Sequence, residues 1–294
     1  MTARLQQYRR STAPRYVDFY TQLVILCSGF MSIFGWSFFG FGMIFVWVFG
    51  LTSTVMDWSI NSFSETTEGQ VIKVESTNYS ENEQTIYEVT YSFQSEGDTY
   101  EGQSYTKTWN SHQVGDKVEV EYNINNPDTS NIIGLRSRPF TGLVFFIVLI
   151  FPMIGLIFIA IALYKNRKAL GLLKNGEFTT ATKISKESTN SSITINNRHY
   201  PIYKYEFGFE AEGGRYIANC KTHLTEKVED EKEEIILYQG GYPDYNMVYD
   251  AIENMPDIDE YGNVTPVSPK KGWVLIIPGL AVIVHGLIFL FVYF

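Results

Sequence analysis

The chain has 294 residues, 45% of them hydrophobic, and a formal net charge of −9 at pH 7. This length is sufficient for two domains of ordinary size. The charge is acidic and no segment is polybasic, which argues against a nucleic-acid-binding surface because acidic surfaces repel phosphate backbones. The chain has two cysteines, Cys27 in an apolar run and Cys220 in a polar segment. Because they are expected in different environments, the sequence predicts neither a disulfide framework nor a thiolate metal site.

The N-terminal part of the chain is basic and is followed by a long apolar run. Residues 1–18 carry four arginines against Asp18, which predicts a basic cytoplasmic N-terminus. Residues 19–56 contain no charge and are predicted to form the first transmembrane segment, although a helix needs only about 20 residues to cross a bilayer. A single tilted crossing and a partly re-entrant segment both remain open. Three glycines would let a neighbouring helix approach closely, or would simply face lipid: Gly35, Gly40 and Gly42.

Residues 57–139 are polar and are predicted to form a small antiparallel β domain outside the cytoplasm. Alternating residues predict a strand at Ile86–Phe93, and Glu96-Gly97-Asp98 is a turn signal that leads into a return strand. A second strict alternation predicts a strand at Val118–Tyr122, and Pro127 ends the pattern. Whether such a domain closes as a barrel or stays an open sandwich is not determined by the pattern.

A second transmembrane helix is predicted at 140–164, and the polar segment that follows, 165–272, repeats the order of the first. An opening strand at Phe178–Glu187 is followed by the strand Ile202–Phe209, a glycine turn and a closing strand. The central strand and the closing proline are 41 residues apart in both segments, which favours an internal duplication. In this comparison Thr182-Lys-Ile-Ser is set against Val71-Ile-Lys-Val.

Residues 273–294 are predicted to form the third transmembrane helix, and the positive residues set the orientation. Lys165, Arg167 and Lys168 follow the second run, and Lys270 and Lys271 precede the third. A three-span, multi-pass arrangement places all of these and the N-terminal arginines in the cytoplasm. The predicted class is therefore an α+β membrane protein with three transmembrane helices, two small antiparallel β domains and an extracytoplasmic C-terminus.

The first polar segment resembles the DUF3592 domain of bacterial membrane proteins. That family has an opening G-x-V strand, a Y-x-V-x-Y-x-F strand, a glycine turn with an aromatic residue and a V-G-D-x-V-x-V-x-Y strand that ends near proline. The first segment is similar at Gly69, Val71, Tyr87, Val89, Tyr91, Phe93, Gly97, Tyr100, Val114, Gly115, Asp116, Val118, Val120, Tyr122, Asn126 and Pro127. The second is a degraded copy that is similar at Tyr203, Tyr205, Phe207, Gly214, Tyr216, Tyr238 and Pro243, and it has an acidic stretch, Glu229–Glu234, in place of V-G-D. The resemblance implies a small β domain beside membrane helices in a bacterial cytoplasmic membrane, and it implies no biochemical role.

Candidate site residues are few. The sequence has no nucleophile, kinase, zincin or phosphate-loop signature, so no catalytic residue, metal ligand or cofactor is predicted. The histidines His112, His199 and His223 lie in polar segments and are expected to be ordinary surface residues. His285 lies within the third apolar run, where an ionisable residue is a functional candidate, although a neutral histidine can also simply bind a neighbouring helix.

Two functional hypotheses follow. The first is a non-enzymatic membrane protein that binds or scaffolds partner proteins, or its own copies, through its β domains. The alternative is transport or signal relay through the helices, which depends on His285 and on the unusual length of the first run. A membrane-bound enzyme is a third possibility for which the sequence offers no residues.

Overall fold

The computed structural model describes residues 7–8, 10–53, 64–195 and 197–293 and has an α+β fold. One end of each of four predicted segments therefore lies outside the described residues: 1–6 of 1–18, 54–56 of 19–56, 57–63 of 57–139 and 294 of 273–294. The chain divides into two compact units. The first unit is Phe38–Ile154, and the second unit joins Met1–Ser37 to Gly155–Phe294.

The first unit contains a five-stranded antiparallel sheet, the first β domain. Its strands are β1 (Ser64–Glu81), β2 (Gln84–Ser95), β3 (Asp98–Thr106), β4 (Lys117–Asn123) and β5 (Asn126–Ile132), in the spatial order β3-β2-β1-β4-β5. The predicted strands Ile86–Phe93 and Val118–Tyr122 are confirmed as the inner parts of β2 and β4. Alternation along β2 buries Val89, Tyr91 and Phe93 on one face because successive side chains point to opposite sides of a sheet.

The outer strands of the first β domain meet and nearly close the sheet. Ser104 Oγ of β3 accepts a hydrogen bond from the Ile132 backbone N–H of β5 at 2.9 Å and donates to Asn131 Oδ1, also at 2.9 Å. Tyr91 Oη donates to Ser130 Oγ across the interior at 3.0 Å. A long central strand shared by both halves and two outer strands that meet describe a partly open barrel of the OB type.

The second unit contains a second five-stranded sheet with the same plan, the second β domain. Its strands are β6 (Glu177–Ile195), β7 (Arg198–Ala211), β8 (Gly214–Thr222), β9 (Glu233–Gln239) and β10 (Tyr242–Val248), in the order β8-β7-β6-β9-β10. Each strand of the second domain thus takes the place of the strand five earlier in the first. From β2 to β5, every paired residue has its counterpart 116 residues later in β7 to β10.

The opening strands correspond with an offset of 112, and even their irregularities coincide. Register shifts lie between Val71 and Lys73 in β1 and between Lys183 and Ser185 in β6. The alignment of Thr182 with Val71 that the sequence suggested is therefore wrong by one residue. The counterpart of Val71 is Lys183. A bulge breaks the alternation of a strand, so the pattern of apolar residues alone could not fix this register.

Side-chain hydrogen bonds recur at the same places in both β domains. Tyr122 Oη donates to Glu65 Oε2 at 3.1 Å, and the counterpart Tyr238 Oη donates to Glu177 Oε2 at 2.7 Å. In the long hairpins, Thr77 Oγ1 and Thr189 Oγ1 each donate to a backbone carbonyl of the partner strand at 2.7 Å. The correspondence therefore extends from strand order to single polar contacts.

The connections to the fourth strands differ. In the first β domain, Gly115 N–H donates to Val71 O at 2.8 Å, and Val71 N–H donates to Asp116 O at 2.9 Å, so the V-G-D segment is tied to β1 by its backbone. In the second, a short helix α4 (Thr225–Val228) precedes the acidic stretch. There the Glu229 carboxylate binds Lys183 and Lys186, each at 2.8 Å. An ion pair with β6 thus stands where the first domain has backbone hydrogen bonds.

Among the described residues, three helices are long and apolar enough to cross a membrane: α2 (Phe30–Thr52), α3 (Gly142–Asn175) and the segment Pro269–Val292, which includes all of α5 (Ile276–Tyr293) except its last residue. The run predicted at 19–56 is divided: a separate helix α1 (Phe19–Cys27) ends at Ser28, and Gly29 has φ +91°, a value that favours glycine. Helix α3 starts near the predicted residue 140 but continues to Asn175, well beyond 164. Its last turns remain helical because Ala169, Leu172 and Leu173 are buried within the second unit.

Glycines bring α2 close to α3 within each unit, as the sequence suggested for two of the three positions. A Cβ on Gly42 would lie 2.8 Å from Pro152 N in the first unit, and a Cβ on Gly35 would lie 2.8 Å from Ile159 N in the second. Small residues permit this close approach of helix backbones.

Candidate functional site

A large concavity lies on the outer face of the second β domain, and we call it the outer groove. It has a volume of about 820 Å³ and crosses β6, β7 and β8. Its lining combines hydroxyl, apolar and charged side chains: Thr179, Thr180, Thr182, Ile184, Gly208, Phe209, Glu210, Arg215, Tyr216, Ile217 and Glu233. This volume lies within the range of about 300–1,000 Å³ that is usual for ligand pockets in proteins.

The floor of the outer groove is a row of residues in register across four strands. Thr182 pairs with Glu233 on one side and with Gly208 on the other, and Gly208 pairs with Ile217. Because Gly208 has no side chain, the floor is low in the middle of the row. A Cβ there would lie 3.1 Å from Ile184 Cδ1, so the Ile184 side chain lies beside the depression.

The walls of the outer groove expose apolar area. Ile184 and Ile217 are apolar, yet both lie on the solvent side of the sheet, where they are 59% and 53% exposed. An ion pair between Arg215 Nε and Glu210 Oε1, 3.2 Å apart, lies at its edge. The groove therefore offers apolar contact beside charges of both signs, which suits a peptide segment.

The same row in the first β domain is polar, and the depression that includes Lys117 has a smaller volume of about 460 Å³. Gln70 pairs with Lys117 and with Ser92, and Ser92 pairs with Glu101. Lys117 Nζ also binds Glu68 Oε1 at 2.7 Å. Each member of this row has a different residue as its counterpart in the second domain, so the two outer faces differ although the folds agree.

A second candidate region is a buried polar cluster in the second unit, which we call the polar junction. Asn166 of α3 donates to the carbonyl oxygens of Leu26 and Ser28, at 3.0 and 2.9 Å. Asn254 donates to Ser28 Oγ at 2.9 Å. The last carbonyls of a helix have no intrahelical partner, and here the Asn166 side chain satisfies those of Leu26 and of the capping residue Ser28.

Arg15 joins the N-terminal segment to the end of α3. Its guanidinium donates to the carbonyl oxygens of Leu173 and Gly176, at 2.9 and 2.8 Å, and to Ser11, and it lies 4.3 Å from the centre of the Phe178 ring. Only 7% of Arg15 is exposed. This burial lowers the pKa of Arg15 to about 10, which leaves the group charged at neutral pH.

The histidines that the sequence analysis named lie in separate parts of the fold and do not form one site. His285 lies half-buried on α5 in the second unit. His112 lies in the connection between β3 and β4, and His199 lies in β7, where its Nδ1 is 2.8 Å from Thr194 Oγ1. Within the described ranges, no group of three or more His, Cys, Asp or Glu side chains is arranged to hold a metal ion.

Both cysteines are free thiols in the structure. Cys220 of β8 is half-buried, and burial, together with the nearby Glu234 carboxylate, raises its pKa to about 12. The thiol of Cys220 is therefore protonated at neutral pH and a poor nucleophile.

The outer groove was not predicted from the sequence. Two signals for it were present: Gly208 interrupts the alternating strand Ile202–Phe209, and Ile184 and Ile217 occupy positions on the solvent side of their strands. These residues become one feature only when the register of three strands is known.

Among the comparisons with known proteins, the family match falls on the first β domain. No curated protein matches the chain. A chain from a solved structure, described as "Structure and Conformational Change of a Replication Protein A Heterotrimer Bound to ssDNA", is 9% identical over 63% of this chain and 46% of that chain, with a TM-score of 0.19. This likeness spans less than half of that chain and is too low to support a conclusion about fold or function. Residues 67–137 match the family described as Domain of unknown function (DUF3592), and the first β domain is therefore similar to that family.

Proposed function

We propose that this chain is a multi-pass protein of the bacterial cytoplasmic membrane that binds partner proteins through its β domains, with the outer groove as the principal site. Three helices of membrane-spanning length support insertion, and the distribution of Arg and Lys supports a cytoplasmic N-terminus and an extracytoplasmic C-terminus. Reporter fusions at Asn126 and Gly240 should then give signals from opposite sides of the membrane. Signals from the same side would contradict this topology.

The second β domain is, in this proposal, a degraded second copy of the DUF3592-like domain. The common strand order, the coincident register shifts and the repeated Tyr–Glu hydrogen bonds support a duplication. After a duplication, one copy can acquire new surface contacts while its core continues to specify the fold.

The outer groove is the single observation that carries the binding function. Where the first β domain has a charged and polar row, the second has a glycine depression flanked by exposed isoleucines. Exposed apolar area beside polar residues is typical of interaction surfaces. By analogy, the face of strands 2 and 3 is also the common ligand face of OB-type barrels.

The counterpart residues of the first β domain provide a matched test. Gly208→Ser and Ile217→Glu introduce the residue types that the first β domain has at the corresponding positions, Ser92 and Glu101. The first domain shows that the shared strand arrangement accommodates these side chains. We expect the double variant to fold and to lose most of the partner protein that is cross-linked in cells and co-purifies with the wild type. The reciprocal variant, Ser92→Gly with Glu101→Ile, is the control and should leave that partner in place.

Two results would count against this function. Unchanged recovery of a stoichiometric partner by the Gly208→Ser, Ile217→Glu variant would remove the outer groove as the site. Recovery of the wild type without any partner, as a monomer, would contradict the binding function itself, whereas a homo-oligomer that the double variant dissociates would identify a second copy as the partner.

Signal relay through the helices is the alternative, and the polar junction favours it. Asn166 of α3 holds the break between α1 and α2, so a shift of α3 would move those helix ends. His285→Leu should then change hydrogen exchange in the second unit around Ser28 and Asn254. Identical exchange in the variant and the wild type would argue against relay through His285.

A further inference from the structure

A small cavity of about 70 Å³ lies in the second unit beside the break between α1 and α2. Residues from four separate parts of the chain converge there. They are Ser28, Gly29, Lys165, Asn166, Lys221, Thr222, His223, Ala251, Ile252 and Glu253. The polar residues Ser28, Asn166 and Thr222 are buried, so the base of the cavity is fixed by the fold, whereas the lysines at its mouth are exposed.

The charges at this cavity favour an anion. Lys165 comes from α3 and Lys221 from β8, and His223 follows β8, while Glu253 contributes the one carboxylate among the lining residues. Two ammonium groups against one carboxylate leave the mouth positive. A compact anion with several acceptor oxygens, such as a phosphate group, can accept hydrogen bonds from both lysines at once.

The start of α2 adds donors to the same place. Helix α2 begins at Phe30. The backbone N–H groups of Ser32 and Ile33 donate to Gly29 O, at 3.0 and 3.2 Å, whereas those of Phe30 and Met31, at the start of the helix, have no acceptor within it. The positive end of the helix dipole favours a negative group there. A Cβ on Gly29 would meet no atom within 4 Å, so the space beside the helix start is open.

The position of the cavity along the chain suggests where the anion comes from. Lys165 is the first charged residue after the apolar run 140–164, and α2 is itself one of the membrane-spanning candidates. In the proposed topology Lys165 and the start of α2 both lie at the cytoplasmic surface of the bilayer, where anionic headgroups are concentrated. Basic pockets between transmembrane helices on this side are suited to anionic lipid headgroups.

We infer that this cavity binds the headgroup phosphate of an anionic phospholipid and thereby holds the second β domain against the membrane surface. This inference depends on the membrane insertion proposed above and is independent of partner binding at the outer groove. Free inorganic phosphate has the same chemistry and is the competing source, which the experiment separates.

The experiment is native mass spectrometry of the full-length protein in detergent with added phosphatidylglycerol, phosphatidylcholine or inorganic phosphate. We expect the wild type to retain phosphatidylglycerol in preference to phosphatidylcholine. The variant Lys165→Gln, Lys221→Gln should retain about thirtyfold less phosphatidylglycerol, since each basic residue near an anionic membrane surface contributes about fivefold to the affinity. The control Lys227→Gln, Lys232→Gln removes the same charge from the connection between β8 and β9, outside the cavity.

The outcomes test the position of the binding site and the identity of its ligand separately. Equal loss in both double variants would show a general charge effect and overturn the site. If the wild type retained phosphatidylcholine as well as phosphatidylglycerol, the anionic headgroup would not be its ligand. Retention of inorganic phosphate to the same extent as phosphatidylglycerol would likewise overturn the lipid as the source of the phosphate. If the Gln variant fails to fold, Lys165→Arg, Lys221→Arg keeps both charges and should retain the lipid, and failure to do so in a folded protein would also count against the site.

Discussion

The two β domains share a scaffold and differ in what they place on it. Strand order, register shifts and the Tyr–Glu hydrogen bonds coincide, whereas the outer rows Gln70–Ser92–Glu101 and Thr182–Gly208–Ile217 have no residue in common. The fold therefore depends on the inner faces and on a few polar contacts between strands. The outer faces can therefore differ without loss of the fold, and a function specific to one domain is expected on its outer face rather than in the strand arrangement that both domains share.

Loss of the contacts between Arg15 and the end of α3 should affect the second β domain most strongly. Arg15→Ala removes the donors that bind the carbonyls of Leu173 and Gly176 and leaves those buried acceptors unpaired. We expect the second unit to lose about 2–4 kcal/mol of unfolding free energy, given the usual cost of losing hydrogen bonds to a buried charged group. Pulse proteolysis of the detergent-solubilised protein in urea, with fragments assigned by mass, measures this.

The first β domain in the same molecule is the internal control for Arg15. Its unfolding midpoint should not change in the Arg15→Ala variant. Arg15→Lys keeps the charge but loses the planar fork that reaches two carbonyls, so its loss of stability should be intermediate. Equal destabilisation of both domains would show that Arg15 does not act locally.

A smaller effect is expected where the two interiors differ. Gly102 of β3 packs against the Tyr91 ring, and a Cβ at Gly102 would overlap the Tyr91 hydroxyl and Ser130 Oγ. The counterparts in the second domain are Ala218 and Phe207, where the ring has no hydroxyl and a methyl group is accommodated. Gly102→Ala should destabilise the first β domain by about 1–3 kcal/mol through overpacking, as measured by the same pulse proteolysis.

Combining the changes should reveal the coupling between these two positions. Tyr91→Phe with Gly102→Ala reproduces the pair found in the second β domain, and we expect the double variant to be more stable than the sum of the single effects predicts. Strict additivity would mean that the hydroxyl of Tyr91 is not the obstacle to a methyl group at position 102.

The sequence was sufficient for features that depend on local pattern. Alternation identified the inner parts of β2, β4 and β7, and the equal 41-residue spacing indicated two segments of one plan. Uninterrupted apolar runs identified three helices long enough to span a membrane. Each of these depends on residues that are neighbours along the chain.

What the sequence missed depends on contacts between distant residues. The end of α3 at Asn175 follows from burial of Leu172 and Leu173 after the apolar run has ended. The break at Ser28 lies in a charge-free stretch and is held by Asn166 and Asn254. The outer groove needs the register across β6, β7 and β8, and a bulge in β6 shifted that register by one residue.

The smallest expected effect concerns two glutamates that each bind two cations. Glu81 in the first β domain lies 2.6 Å from Arg136 and 3.1 Å from Lys107, and Glu229 in the second binds its two lysines at 2.8 Å. The hydrogen bond from Arg136 is the main cause that lowers the pKa of Glu81 below its ordinary value of 4.5. A group whose pKa is lower in the folded state stabilises the fold above the ordinary pKa, and this contribution disappears as the pH falls through 4.5 toward the folded value.

The variants Glu81→Gln and Glu229→Gln compare these ion pairs. Glu81→Gln should cost the first β domain up to about 1 kcal/mol at pH 7, the upper part of the range for partly exposed pairs, and the difference from wild type should shrink below about pH 4. Glu229 and its lysines are more exposed, so the loss in the second domain should be smaller at every pH. If the effect of Glu81→Gln did not diminish in acid, its cause would be packing or hydrogen-bond geometry rather than charge, because a protonated Glu81 no longer attracts Arg136.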